Sequence, residues 1–230
     1  MRRDDAVDRT TVKPAGDGDT DDFPGALRID PDAAVRAVRA YNDGSYLGRK
    51  NVEVDRAGYE RFRGGLPEDE STLVELLRFV GENYGGAQRR FLPHSHRDEA
   101  ALIVAKLRPV LDAWRAAVGA ARGLSEGIPS EETLTLLLAP FAGTRRWPVW
   151  ASKTLHFLRP DAFPIYDSRA RKALGMAEGT APRDYHRFCV AFRAALVGNR
   201  EALAAARAID GGRSPSDLKL LDKILYQLGA

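Results

Sequence analysis

The chain contains one cysteine, Cys189, in 230 residues. A single thiol cannot close an intrachain disulfide, so packing alone must hold the fold, and the usage fits a reducing, cytoplasmic setting. Spaced cysteine sets of the kind that bind zinc or an iron–sulfur cluster are absent. No apolar run approaches the roughly 20 residues of a membrane span. The opening residues, MRRDDAVDRTTVKPAGDGDTDDFPG, lack the apolar centre of a signal peptide. There is no Walker-type phosphate loop and no Rossmann glycine pattern. No alternation of apolar and polar residues runs beyond about four positions, which argues against a half-buried sheet.

What is present is helical spacing and unevenly placed charge. Residues 1–30 carry five basic and eight acidic side chains, net −3. The whole chain is +3, so the remainder is +6. Residues 1–26, rich in Asp, Gly and Thr, read as a disordered acidic tail. Residues 27–230 read as a single all-α domain of nine or ten helices, with a division into two lobes left open. PDAAVRAVRAYNDG begins with proline in a first turn and ends at Asn-Asp-Gly. The stretch 51–54 reads as extended, followed by a short helix near 55–63. Leu73, Leu76, Leu77, Val80 and Tyr84 share one face. Ile103, Leu107, Val110, Leu111, Trp114 and Val118 form a longer stripe that Pro109 should kink or break. Ser130 suits the cap of the helix that follows it. Tyr185, Phe188, Cys189, Phe192 and Leu196 repeat the same period, NREALAAARA is strongly helical, and SPSDLKLLDKILYQLG is a last helix closed by Gly229.

The stretch WASKTLHFLRPDAFPIYDSRARKALG, residues 150–175, stands apart. Between 141 and 175 there are seven Arg or Lys (145, 146, 153, 159, 169, 171 and 172) against Asp161 and Asp167. An excess of that density suits a polyanion-binding surface, and it also suits a set of solvated helix faces. Pro148 fits the first turn of a helix running to about Phe157. Lys153 and His156, three apart, share a face of it. RPDAFP breaks that helix, Asp167 or Ser168 caps the next, and Gly175 ends it. Asp167 is then a helix cap or a catalytic carboxylate. Lys153 is then a snorkelling surface residue or, if its aromatic neighbours desolvate it, a nucleophile of lowered basicity.

FPIYDSRARKALG resembles the segment of the helix-hairpin-helix DNA glycosylases in which a Pro-Val-Asp-Thr-His-Val-type run leads into a helix. SKTLHFLRPDAFPIYDSR and the terminal LKLLDKILYQLG further resemble a signature that recurs in bacterial proteins distantly related to these enzymes. The resemblance implies an all-α fold, a DNA substrate with a damaged or modified base, and base excision with or without strand cleavage. It implies Asp167 as catalytic acid and Lys153 as the nucleophile of strand-cleaving members. The pattern departs from that family in three ways. TRRWPVWASK lacks the Gly-x-Gly turn that binds phosphate, the spacing from Lys153 to Asp167 is shorter, and Asp167 lies three residues after Pro164 rather than two. Arg145 and Arg146 are candidates to replace the missing phosphate donors.

In that setting Arg169, Arg171 and Lys172, with Gln88, Arg89 and Arg90 of YGGAQRRFLP, are candidate DNA contacts. The last three read equally as a solvated helix terminus. Trp147, Trp150 and Tyr166 are candidates to stack on an extruded base, and Phe163 is another; each is also a natural core residue. His94 and His96 form a His-x-His fragment without a third ligand, and Ser95 with Asp98 reads as a capping box. No metal or other cofactor is expected. The expected partner is duplex DNA, bound by a monomer, with no membrane. Two rivals keep the same helices. One is a non-catalytic DNA-binding or defence-associated module, marked by Lys153 and Asp167 facing away from any cleft. The other is a helical interaction protein, marked by basic residues scattered over several faces.

Overall fold

A computed structural model describes residues 27–46, 49–62, 69–84, 95–144 and 147–230. The tail at 1–26, the cluster Gln88, Arg89 and Arg90, the His94 fragment and the pair Arg145 and Arg146 lie outside them. The described residues are helical apart from a hairpin of two two-residue strands. The elements are α1 (Pro31–Asp43), β1 (Ser45–Tyr46), β2 (Arg49–Lys50), α2 (Asn51–Phe62), α3 (Glu70–Tyr84), α4 (Ser95–Leu107), α5 (Leu111–Ala120), α6 (Glu131–Leu138), α7 (Trp147–Leu158), α8 (Ser168–Ala173), α9 (Pro182–Gly198), α10 (Arg200–Asp210) and α11 (Asp217–Leu228).

Caps and punctuation set these limits as local chemistry requires. Asp30 accepts from the Ala33 amide at 2.9 Å ahead of Pro31. Ser130 accepts from the Thr133 amide at 3.1 Å to start α6. Pro109 sits in a 3₁₀ turn at 108–110 that separates α4 from α5, the break its missing N–H demands. Asp167 caps α8, and Gly175 follows with φ 68°.

The hairpin corrects one expectation. The extended residues precede position 51, and 51–54 already belong to α2. The reason is tertiary: Asp55, Gly58, Tyr59 and Phe62 are all buried, at i, i+3, i+4 and i+7. That face outweighs the β preference of Val52 and Val54.

α1 lies against α10 and α11, α11 against α8, α3 against α4, and α6 against α9. The N-terminal helices therefore close on the C-terminal ones. Asn199 fastens this closure by accepting from the Ile29 amide at 2.7 Å and donating to the Leu27 carbonyl at 2.7 Å. Arg159 caps the end of α5, donating to the carbonyls of Val118, Gly119 and Ala121. α7 runs through the middle, against α2, α3 and α6. Every residue from Ala151 to Leu158 is buried. No helix among the described residues is long and apolar enough to cross a membrane.

Candidate active site

A buried helix that carries Ser152, Lys153, Thr154 and His156 must satisfy each polar group, because an unmet one costs about 1–3 kcal/mol. Three are met. Ser152 Oγ donates to the Val149 carbonyl and accepts from the Tyr166 amide at 3.0 Å. Thr154 Oγ1 donates to the Trp150 carbonyl at 2.9 Å. His156 Nδ1 faces the Phe163 carbonyl at 2.7 Å, so it must carry the proton, and Nε2 accepts from the Tyr59 hydroxyl at 2.6 Å. Burial, then the charge of Lys219, push the His156 imidazolium down to about 3. The ring is neutral and structural.

Lys153 is the exception. It is 9% exposed, and among the described residues its Nζ makes no hydrogen bond and no ion pair. Its one contact of a polar kind is the Tyr84 ring, 4.6 Å from Nζ. Burial lowers the basicity of this amine, against the partial opposition of Asp167 and then Asp222.

Lys153 opens onto a cavity of about 450 Å³, within the range of roughly 300–1,000 Å³ typical of small-molecule sites. α7 contributes Pro148, Val149 and Lys153; the turn after it contributes Ile165, Tyr166 and Asp167. α8 supplies Arg169 and Arg171, α11 supplies Lys219, Asp222 and Tyr226, and Tyr41, Asn51, Asn83, Tyr84 and Glu178 are also on the wall. Asp167 Oδ1 accepts from the amides of Arg169 at 2.8 Å and Ala170 at 3.1 Å. Its Oδ2 makes no hydrogen bond among the described residues. The aspartate therefore caps α8 with one oxygen and offers the other.

Of the residues singled out in the sequence, Lys153, Asp167, Tyr166, Arg169 and Arg171 meet in this cavity. The Arg169 guanidinium stacks 4.4 Å above the Tyr226 ring. Arg171 lies 5.0 Å above the Tyr166 ring and 3.8 Å from Glu178. Lys172 is exposed and away from the cavity wall. Trp150 and Phe163 belong to the core, 6% and 0% exposed, and neither lines the cavity. Tyr166 lines it but is mostly committed, donating to the Gly179 carbonyl at 3.0 Å and packing edge-on against Tyr185 and Phe188. The Trp147 side chain lies outside what is described. Cys189 is fully buried, and burial pushes its thiol far above the ordinary value. Among the described residues no group of three or more His, Cys, Asp and Glu is placed to hold a metal ion.

A buried ionic cluster forms the floor. Asp55 accepts from Tyr84 Oη at 2.7 Å and Tyr41 Oη at 2.8 Å. Lys219 Nζ lies 3.2 Å from Asp55 and 2.9 Å from Asp222. Burial alone would raise the Asp55 carboxyl, but Lys219, Tyr84 and Tyr41 outweigh it and hold it below the usual range. For Asp222, burial wins over Lys219, and Asp167 adds to it, so its carboxyl is raised. Lys219 itself stays charged, because Asp222 and Asp55 together outweigh its burial. The two carboxylates diverge because Asp55 has three donors and Asp222 one. None of Asp55, Lys219 or Asp222 stands out in the sequence. Lys219, Asp222, Lys223 and Tyr226 form an ordinary polar stripe, and only the apolar residues on both flanks of it (Leu218, Leu220, Leu221, Ile224 and Leu225) hint at burial.

Comparison with known protein families, with curated proteins and with solved structures gives no match for this chain.

Proposed function

We propose that this chain is a DNA-interacting base-excision enzyme, a glycosylase with a lysine nucleophile, built on a scaffold of the helix-hairpin-helix glycosylase type. The observation that carries the reading is the Lys153 amine: buried, unpaired among the described residues, and sharing a cavity with the free oxygen of Asp167. An ordinary structural lysine would have a partner at that depth. An amine of lowered basicity is what attack on a sugar carbon requires near neutral pH.

The chemistry follows from the placement. A nucleotide turned out of the duplex enters the cavity. As the base leaves C1′, positive charge builds on the sugar, and Asp167 Oδ2 stabilises it. The neutral Nζ of Lys153 attacks C1′, and the adduct opens to a protonated imine. Arg169 and Arg171, at the same cavity, suit the flanking phosphates.

The test is borohydride trapping on an abasic duplex. Wild type should give a covalent protein–DNA adduct that disappears in Lys153→Gln. Asp167→Asn keeps the cap, since asparagine caps as well as aspartate, and should abolish base release while leaving DNA binding intact. Full activity of Asp167→Asn on a substrate that wild type processes would refute the assignment. The two amide bonds to Asp167 Oδ1 favour a second reading, because a cap alone accounts for an aspartate there. A non-catalytic DNA-binding or defence-associated module follows if DNA is bound, no base is released and no adduct is trapped on any lesion.

A further inference from the structure

α11 brings charge into the cavity that the lysine nucleophile alone does not require. Lys219 and Asp222, 1% and 5% exposed, sit one turn apart on its inner face. Burying two ions is costly unless both are well paired. Lys219 is: it lies between Asp55 and Asp222, with the Tyr41 hydroxyl 3.4 Å away. Asp222 is not. Its Oδ2 meets Lys219 at 2.9 Å, and its Oδ1 makes no hydrogen bond among the described residues. Asp55 has both oxygens occupied and is locked as an anion.

We infer that Asp222 is the proton-transfer residue of this cavity, taking the proton from the Lys153 ammonium and delivering it to the oxygen that leaves when Lys153 forms an imine. The inference rests on Lys153 acting as an amine nucleophile. The steps balance. Lys153 Nζ and the Asp222 carboxylate line the same cavity without forming an ion pair, so the proton passes from Lys153–NH₃⁺ to Asp222–COO⁻ through a solvent water in that cavity, giving an amine and a carboxylic acid. The Nζ lone pair attacks the aldehyde carbon, the C=O π pair moves to oxygen, and one N–H proton shifts to that oxygen to give a carbinolamine. The C–O bond then breaks, the oxygen leaves as water with the Asp222 proton, and the nitrogen lone pair closes the protonated imine. Asp222 ends as the carboxylate it began as.

The surroundings suit a shuttle. Burial pushes the Asp222 acid up and the Lys153 amine down, which narrows the gap a proton must cross between them. The other charged groups on the cavity are Lys219 on the same helix, Asp167, Arg169 and Arg171 at α8, and Glu178 after it, with Asp55 of α2 behind Lys219. Tyr41 and Tyr84 hold their protons well above the ordinary phenol range, mainly through burial, and do not exchange them near neutrality.

The experiment measures adduct formation at Lys153 in the full chain, with glycolaldehyde and cyanoborohydride, by peptide mass spectrometry from pH 5 to 9. It needs no DNA. Wild type should give a bell: inactive when the pair holds two protons, active with one, slow with none. Asp222→Asn should lose the falling limb and lower the maximum about 100-fold, a usual size for general acid catalysis. Asp222→Glu should restore the limb. A wild-type rate that rises monotonically with pH overturns the inference without recourse to any variant that misfolds. So does an Asp222→Asn profile of unchanged shape, or no glycolaldehyde adduct at Lys153 at all. A bell in wild type with no adduct on abasic DNA supports Asp222 and refutes the DNA reading instead.

Discussion

Replacing Lys219 by methionine tests the buried floor directly. The side chain keeps its length and apolar stem and loses the ammonium that stands 3.2 Å from Asp55 and 2.9 Å from Asp222. Two buried carboxylates then share a site with no cation between them. Removing one partner of a buried pair costs about 3–5 kcal/mol, because the desolvation of the other is left uncompensated. For a chain of this size that is a fall in Tm of roughly 6–20 °C, at about 2–4 °C per kcal/mol. Acid should relieve the loss, and the sign is fixed by linkage. Without Lys219 the folded-state pKa of both carboxyls rises above the unfolded value, which is about 3.9 for aspartate. The penalty is absent where both states are protonated, below that value, and grows as pH rises toward the new folded values. Denaturant unfolding followed by circular dichroism at pH 4 and pH 7.5 reads both quantities. A deficit under about 1 kcal/mol at pH 7.5, or one that does not shrink at pH 4, would refute the buried cluster as described.

Gly229→Ala should destabilise by about 1–3 kcal/mol through overpacking, because a Cβ there would lie 1.9 Å from the Arg169 carbonyl oxygen. Since that contact sets α11 against α8, adduct yield at Lys153 should fall along with Tm; an unchanged melting curve contradicts the close approach. DNA affinity should fall steeply with salt, as release of counterions requires, and charge reversal of Arg145 and Arg146 should weaken it on every sequence. Binding that ignores salt would remove DNA as the partner.

Local signals carried the elements that surround the site. Pro148, the RPDAFP break, the Asp167 cap and Gly175 act within a few residues of themselves, so their effect is visible in a short window, and the helices 147–158 and 168–173 follow from them. Pro109 and Ser130 behave alike. What a window does not contain is the partner of each side chain. Lys153 and Asp167 were legible as a pair because one turn joins their helices. Asp55, Tyr41 and Tyr84 reach the same cavity from α2, α1 and α3, and nothing within those segments distinguishes them from other polar or aromatic residues. Lys219 and Asp222 mislead in the other direction, since a polar stripe on an amphipathic helix normally faces water. Trp150 and Phe163 were misleading as base platforms because an aromatic side chain beside a basic stretch has the same spacing whether it faces a ligand or the core. The start of α2 was masked by valines whose extended preference yields to the buried face at 55, 58, 59 and 62.

The closure of α1 on α11 has a temporal side. Tyr41 and Lys219 meet across 178 residues, and a ribosome adds about 5–20 residues per second. Roughly 10 to 40 s therefore separate the emergence of the first from that of the second. Throughout that interval Asp55 lacks its ammonium partner and α7 lacks one wall of the chamber around its lysine. The nascent chain can form α3 to α6 early, from neighbours close in sequence, but the cavity wall that Lys219, Asp222 and Tyr226 supply beside Lys153 arrives only when residues 219–226 dock. If Lys153 is the nucleophile proposed above, the low-basicity setting of its amine is completed by the last step of folding.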